Sequence, residues 1–205
     1  PVCLGLVAIG LGWRAATPAL GAPEGVGPLL LGAACALLGF VGALYALRVT
    51  LRVGRLGQDL RMPAGRGAAP AGPVGLMLAA AAAAPVSPAL ATVLWGGGVI
   101  LHVYVAGTLL RELGGMPPDG RPATASLLLP FAGQIAAPLA GVDLGMALVS
   151  GALFWSGVAA WLWIAPLALR RLARGAPPPP FLRPWTAAFL APPALAVAEI
   201  GRAHV

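Results

Sequence analysis

The chain has 205 residues, of which 59% are hydrophobic and only 9% are charged. A soluble domain carries roughly 25% charged residues, so a chain with so little charge cannot cover a globule with polar groups and belongs in a lipid bilayer. The net charge of +7 does not indicate nucleic-acid binding, because the basic residues are not gathered on a water-exposed domain.

Uncharged apolar runs predict an all-α polytopic membrane protein, because about 20 mostly apolar residues cross the hydrocarbon core as one helix. We expect seven spans, of which the first is shortened and the third is Ala-rich. They cover residues 1–13, 27–47, 67–84, 89–110, 124–142 and 144–169, and the seventh begins near residue 184 and fades at 198. Residues 1–198 are therefore predicted to form a single transmembrane domain.

The arginines predict the orientation of these spans. Eleven of the 13 follow the second, fourth and sixth spans, whereas the alternate connections hold only Arg14. Because cytoplasmic loops are enriched in Lys and Arg, the loops after these even-numbered spans are predicted to be cytoplasmic. The Arg clusters recur at about the length of a two-helix hairpin, which indicates an array of hairpins.

Ionisable groups inside the spans are few. Only His102 lies well inside a span, and it is either hydrogen-bonded to a neighbouring helix or has a role in transport. Asp143 directly precedes the sixth span and is predicted to be its N-cap. Cys3 and Cys35 each lie alone at a spacing that fits no zinc or haem pattern, so we expect no cofactor and no metal.

Odd-numbered and even-numbered spans differ in their prolines. Pro85 ends the third span, Pro130 and Pro138 interrupt the fifth, and Pro192 and Pro193 interrupt the seventh. Proline kinks a helix and frees polar backbone groups, which are tolerated at membrane depth only against protein or a water-filled cavity. We therefore expect the odd-numbered helices to form an inner ring, although proline is also generally commoner in membrane helices.

The even-numbered spans are unbroken until Pro166, near the end of the sixth. They carry aromatic side chains and are expected to face lipid as an outer ring. The aromatics are Phe40, Tyr45, Trp95, Tyr104, Phe154, Trp155, Trp161 and Trp163.

Four stretches resemble the tellurite-resistance/dicarboxylate transporter family, which includes TehA-type proteins and slow anion channels. The stretch "PFLRPWTAAFLAPPALA" is similar to the seventh helix of that family, except that Trp185 separates Pro184 from Thr186. The stretch "LLLPFAGQIAAPLAGVDLG" resembles the fifth helix and "SGALFWSGVAAWLWIAPLALRRL" the sixth. In "CLGLVAIGLGW", which resembles the first helix, Gly5 matches a family glycine.

The resemblance implies ten helices in five hairpins, with the odd-numbered helices around a central pore. It also implies passage of anions, commonly through a homotrimer, in the inner membrane of a bacterium. The family gate is a phenylalanine on the ninth helix, for which Phe131 is not a substitute. The chain is then expected to be a C-terminally truncated fragment, with residues 199–205 a non-native tail, because "EIGRAHV" back-translates to a common sequencing adapter.

These observations predict a channel or transporter for small anions such as dicarboxylate, chloride, nitrate, sulfite or tellurite-related ions. The alternatives are a proton-coupled carrier of the same fold and a non-transporting membrane subunit or enzyme. The expected partners are the lipid bilayer and the anion, and nucleic acid is not among them. The candidate pore-lining or kink residues are Gly5, Pro130, Gln134, Pro138, Pro192 and Pro193. Gln134 either faces the pore or makes a helix-packing hydrogen bond.

Overall fold

The structure is a computed structural model that describes residues 2–51, 55–115 and 125–174. Within these ranges the regular structure is entirely helical, which confirms the predicted all-α class. The helices are α1 (Val2–Leu20), α2 (Val26–Leu51), α3 (Arg55–Arg61), α4 (Pro63–Ala68), α5 (Ala71–Ala83), α6 (Pro88–Gly114), α7 (Leu128–Ala132), α8 (Pro138–Gly141) and α9 (Ala147–Ala173). The 3₁₀ turns Ala125–Leu127 and Gly133–Ala136 precede and follow α7.

Three of the described helices, α2, α6 and α9, are long and apolar enough to cross a membrane. They have 26, 27 and 27 residues, or about 40 Å each, which exceeds the roughly 30 Å hydrocarbon core. They correspond to the predicted second, fourth and sixth spans. The start of α6 is well defined, because Pro88 occupies its first turn and the Leu90 amide donates to the Ser87 hydroxyl over 3.3 Å.

The odd-numbered segments are shorter and differ more from prediction. The first does not end at Trp13, since α1 continues to Leu20. Arg14 is accommodated inside this helix because its guanidinium donates to the carbonyl of Ala81 over 2.8 Å and to that of Ala82 over 3.4 Å. These acceptors lie near the C-terminal end of α5, where carbonyls lack partners within the helix. Most of the predicted third span, residues 67–84, is α5, and only its first two residues belong to the end of α4.

Helices that follow one another in the chain pack against each other as hairpins. The most extensive contacts join α1 to α2 and α5 to α6, and segment 125–141 packs against α9. Short connections make these pairs antiparallel: residues 21–25 turn through Gly21, whose φ is 64°, and residues 84–87 join α5 to α6. The predicted arrangement in successive hairpins is thus present in the described part of the chain.

The Arg-rich connection between the second and third spans contains two short helices rather than an open loop. In α3, Asp59 is buried and accepts a hydrogen bond from the Tyr45 hydroxyl over 3.3 Å. Arg48 Nη2 lies 3.6 Å from the same carboxylate, and Arg61 Nε pairs with Glu112 Oε2 at 2.7 Å. These contacts tie α3 to the ends of α2 and α6.

The core lies on the interrupted segments rather than on the long helices. Most of α5 and most of segment 125–141 are buried, whereas buried residues make up 11% of the apolar window of α2, 28% of that of α6 and 17% of that of α9. The long helices expose Phe40, Tyr104, Trp155 and Trp163. The division agrees with the predicted inner position for α5 and segment 125–141, whereas α1, the first odd-numbered helix, is largely exposed.

Candidate functional site

The predicted fifth span is broken, and its prolines explain where. Pro138 has no N–H to donate to the carbonyl of Gln134, four residues earlier. That carbonyl instead accepts from the amide of Ala137 over 3.0 Å, which closes a 3₁₀ turn before α8 begins. Pro130 and Pro138 are both buried. The interruption that the prolines predict is therefore present, and it lies inside the protein.

Trp95, which lies on the facing helix α6, makes a hydrogen bond to the end of the broken segment. Its Nε1 donates to the carbonyl of Ala137 over 2.8 Å, and the same carbonyl accepts the amide of Gly141 over 3.0 Å. The indole is only 5% exposed. The expectation that Trp95 faces lipid is wrong, because the indole N–H needs an acceptor at this depth and the broken helix supplies one.

His102, also on α6, lies against the middle of the break. The ring is 1% exposed, and a Cβ built on Gly133 would lie 3.3 Å from its Cε1. The backbone of Pro130 and the side chain of Gln134 are its polar neighbours. Among the described residues, neither ring nitrogen has a partner in hydrogen-bond geometry. His102 is thus a buried polar side chain aimed at the interrupted backbone.

Gln134 is joined to α9. Its Nε2 donates to Ser156 Oγ over 2.8 Å, and that hydroxyl donates to the carbonyl of Leu153 over 2.9 Å. The contact is a hydrogen bond between helices, one of the two roles that the sequence left open. Pore contact by the same side chain stays a prediction.

Gly5 lies on an open face of α1. A Cβ added at Gly5 or at Gly12 would meet nothing within 4 Å, and Ala8 between them is exposed. The three residues are three or four positions apart, so they share one face of the helix. Pro192 and Pro193 lie outside the described residues.

Asp143 does not occupy the N-cap that was predicted for it. α9 begins at Ala147 with Met146 at its N-cap and without a side-chain cap hydrogen bond. Residues 142–145 form turns that place Asp143 before the cap, with Gly145 at φ 79°. The expectation was wrong because residue 144 does not start the helix: Gly145 takes a left-handed conformation that ends the preceding turns.

Close packing around the break depends on small residues that sequence reasoning missed. A Cβ on Gly141 would overlap Ser150 Oγ and lie 2.7 Å from Trp95 Cε2, and a Cβ on Gly157 would lie 2.7 Å from Ile135 Cγ1. Ser150 and Gly157 are seven positions apart on α9, hence on one face. Small residues at such spacing let membrane helices approach closely, and this was the available signal.

Arg66 places a positive charge beside the start of the broken segment. It is 5% exposed, and its Nε and Nη2 donate to the carbonyls of Leu60 and Arg61 over 3.0 and 2.8 Å. Burial lowers the pKa of this guanidinium from its usual range. The helix α4 that carries it packs against residues 125–127. Within the described ranges no group of three or more His, Cys, Asp or Glu side chains is placed to hold a metal ion.

Long apolar helices packed outside a buried, proline-broken segment define an all-α membrane protein. Residues 1–204 match the SLAC1 family, described as voltage-dependent anion channel, and the chain belongs to this family. The resemblance seen in the sequence is confirmed at the level of an anion-channel family, whose members are channels or transporters rather than enzymes. No curated protein shows significant similarity to the chain.

Proposed function

We propose that the chain forms part of the wall of a path for small anions, and that the interrupted odd-numbered segments line this path. The observation that carries the proposal is a contrast in burial: α5 and segment 125–141 are mostly buried, and α2, α6 and α9 expose aromatics. Irregular backbone at membrane depth requires protein or a water-filled cavity around it. Because the chain belongs to a family of anion channels, a water-filled cavity beside the broken segments would serve as the anion path.

The small-residue face of α1 is the second part of the proposed wall. Gly5, Ala8 and Gly12 present little more than backbone on that side, with open space beside both glycines. A wall of this kind leaves room for an ion and offers no fixed charge. Selectivity then comes from the width of the path, from the ease of stripping water from the anion and from backbone dipoles at the kinks.

The proposed anion class is small inorganic or organic anions, among them chloride, nitrate, sulfite, dicarboxylate and tellurite-related ions. Buried Arg66, at the arginine-rich end of the inner segments, adds a field that favours anions over cations. In this arrangement the guanidinium of Arg66 attracts the anion without blocking the path.

Replacing Gln134 by Leu tests the path. Loss of one hydrogen bond to a permeating anion costs about 0.5–1.5 kcal/mol, which corresponds to an approximately two- to tenfold fall in anion conductance. The measurement is single-channel or flux recording of the full-length protein in liposomes. Ser156→Ala is the matched control, since it removes the partner of Gln134 and leaves the amide in place. Equal conductance in Gln134→Leu, Ser156→Ala and the parent protein would show that Gln134 serves packing alone.

A second candidate, a proton-coupled carrier of the same fold, is favoured by His102. Ionisable side chains inside a membrane are rare and commonly belong to proton relays, and His102 is buried against the break. A coupled carrier gives reversal potentials that move with the pH gradient, and His102→Gln abolishes that movement. Reversal at the equilibrium potential of the anion at every pH identifies a channel.

A further inference from the structure

A deep apolar groove runs along the outside of the two N-terminal hairpins. It has a volume of about 1030 Å³ and is lined by α2, α5 and α6 together with Arg14 of α1. None of the described residues of segment 125–141 lines it, nor do Gly5, Ala8 or Gly12, so the groove does not include these parts of the proposed anion path.

The floor of the groove is made of glycines with nothing above them. Gly32, Gly39, Gly42 and Gly72 line it, and a Cβ added at any of the four would meet no heavy atom within 4 Å. Leucine side chains, among them Leu38, Leu94 and Leu101, form its sides. An apolar space of this size does not stay empty in a bilayer, because its lining would lose dispersion contacts on one side.

The length of the groove matches the thickness of a bilayer. From Pro28 to Thr50 the α2 wall is about 33 Å long at about 1.5 Å per residue, close to the roughly 30 Å bilayer core. Extended acyl chains from the two leaflets together cover this distance, and the apolar lining suits hydrocarbon.

The two ends of the groove are polar. Arg14 lies at one end, where its guanidinium is held by the carbonyls of Ala81 and Ala82. Tyr45 and Thr50 lie towards the other end. Guanidinium groups bind phosphate strongly, and basic residues between membrane helices bind lipid headgroups.

We propose that this groove binds phospholipid, with two acyl chains end to end, one from each leaflet, and with the phosphate of the lipid at the Gly32 end held by Arg14. The site takes the lipid as a bound ligand. It differs from the general lipid-facing surface in its depth and in the charge at its mouth.

The first test fills the groove. The full chain is purified in mild detergent with phosphatidylglycerol, and the bound lipid is counted by native mass spectrometry. Gly32→Leu is expected to lower the retained lipid severalfold. Gly151→Leu is the control, because Gly151 also has open space beside it but lies on α9, outside the groove. Equal retention in the two variants overturns the proposal. A change of oligomeric state with Gly32→Leu alone does so as well, since it identifies a second copy as the occupant.

The second test addresses Arg14. Loss of one Arg near a lipid phosphate is worth about 1 kcal/mol, so Arg14→Gln is expected to weaken phosphatidylglycerol binding about fivefold. Diacylglycerol, which has no phosphate, should bind both proteins equally and so reports that the groove is intact. Equal binding of phosphatidylglycerol to both proteins contradicts the assigned position of the phosphate.

A third measurement maps the bound chain. Phosphatidylglycerol carrying a diazirine on its acyl chain should label peptides with Leu90 and Leu94, which line the groove near Arg14. The exposed Trp155 and Trp163 of α9 represent the ordinary lipid-facing surface. Equal labelling of the two regions would mean that the groove binds lipid no better than the rest of the protein.

Discussion

Single side chains of α6 stabilise the broken fifth segment. Trp95 donates to the carbonyl of Ala137, and His102 fills the space beside Gly133. Both residues stand on a long, mostly lipid-exposed helix and turn inward, and for Trp95 the reason is that the Ala137 carbonyl accepts its indole N–H.

Trp95→Phe should lower stability modestly. It removes one buried hydrogen bond while keeping most of the packing, and the Ala137 carbonyl retains its bond from Gly141. The expected cost is about 0.5–1.5 kcal/mol in the free energy of unfolding. Thermal unfolding in detergent measures it, and Trp155→Phe on the exposed face of α9 serves as the control. A similar loss in both variants would argue that the indole hydrogen bond contributes nothing.

Gly141→Ala should be clearly destabilising, whereas Gly151→Ala should not. The added methyl at Gly141 overlaps Ser150 and Trp95, while that at Gly151 meets nothing within 4 Å. Overpacking costs about 1–3 kcal/mol, and Ala in place of an unhindered helical Gly gains about 0.5–1 kcal/mol. Denaturant titration of the two variants compares them. The opposite order of stability would contradict the close approach of α8 and α9.

At the scale of elements, short helices organise the arginine-rich connection. The guanidinium of Arg66 takes the carbonyls of Leu60 and Arg61 at the end of α3, where a helix leaves carbonyls without partners. Two ion pairs lie in the same region: Asp59 of α3 pairs with Arg48 of α2, and Glu112 of α6 pairs with Arg61 of α3. Residues 55–66 of the connection are therefore a folded part of the protein.

Arg66→Met should destabilise α3 and α4 more than Arg61→Met does. Hydrogen bonds from a charged donor are worth about 1.5–3 kcal/mol each, while removal of a buried charge regains part of its desolvation cost. The net expectation for Arg66→Met is a loss of about 1–3 kcal/mol. Arg61, whose side chain is exposed, should matter much less, because its ion pair is screened by water. Hydrogen exchange at residues 55–68 measures the local effect, and equal exchange in the two variants would refute the capping role.

At the scale of the whole molecule, the hairpin arrangement predicts that alternate connections lie on opposite sides of the bilayer. The arginine distribution predicts that residues 48–66 face the cytoplasm and that the turn at residues 84–87 faces the other side. The fold agrees with the hairpin plan, since α5 and α6 are joined by that short turn.

Cysteine labelling in intact cells checks this orientation. In a background with Cys3 and Cys35 replaced by Ala, Val86→Cys should react with a membrane-impermeant maleimide. Gln58→Cys should react only after the membrane is permeabilised. Both positions are exposed, so access depends on the side of the membrane. Labelling of Gln58→Cys in intact cells would reverse the orientation.

Composition and local chemistry made the class of the protein predictable. The scarcity of charge indicates a bilayer, the apolar runs predict α2, α6 and α9 closely, and Pro130 and Pro138 mark the broken segment. These features depend only on local properties of a short stretch of sequence. Apolar residues transfer favourably to lipid, and proline lacks the N–H that a continuous helix needs.

Contacts between distant segments were decided only by the tertiary structure. Trp95 faces inward because Ala137 comes to lie opposite it, Gln134 bonds Ser156 because α9 packs there, and α1 continues through Arg14 because α5 ends beside it. The cap expected at Asp143 is absent because the helix starts later, at Ala147. Each of these outcomes depends on which neighbour supplies a hydrogen-bond partner where water is absent, and a linear pattern does not contain that information.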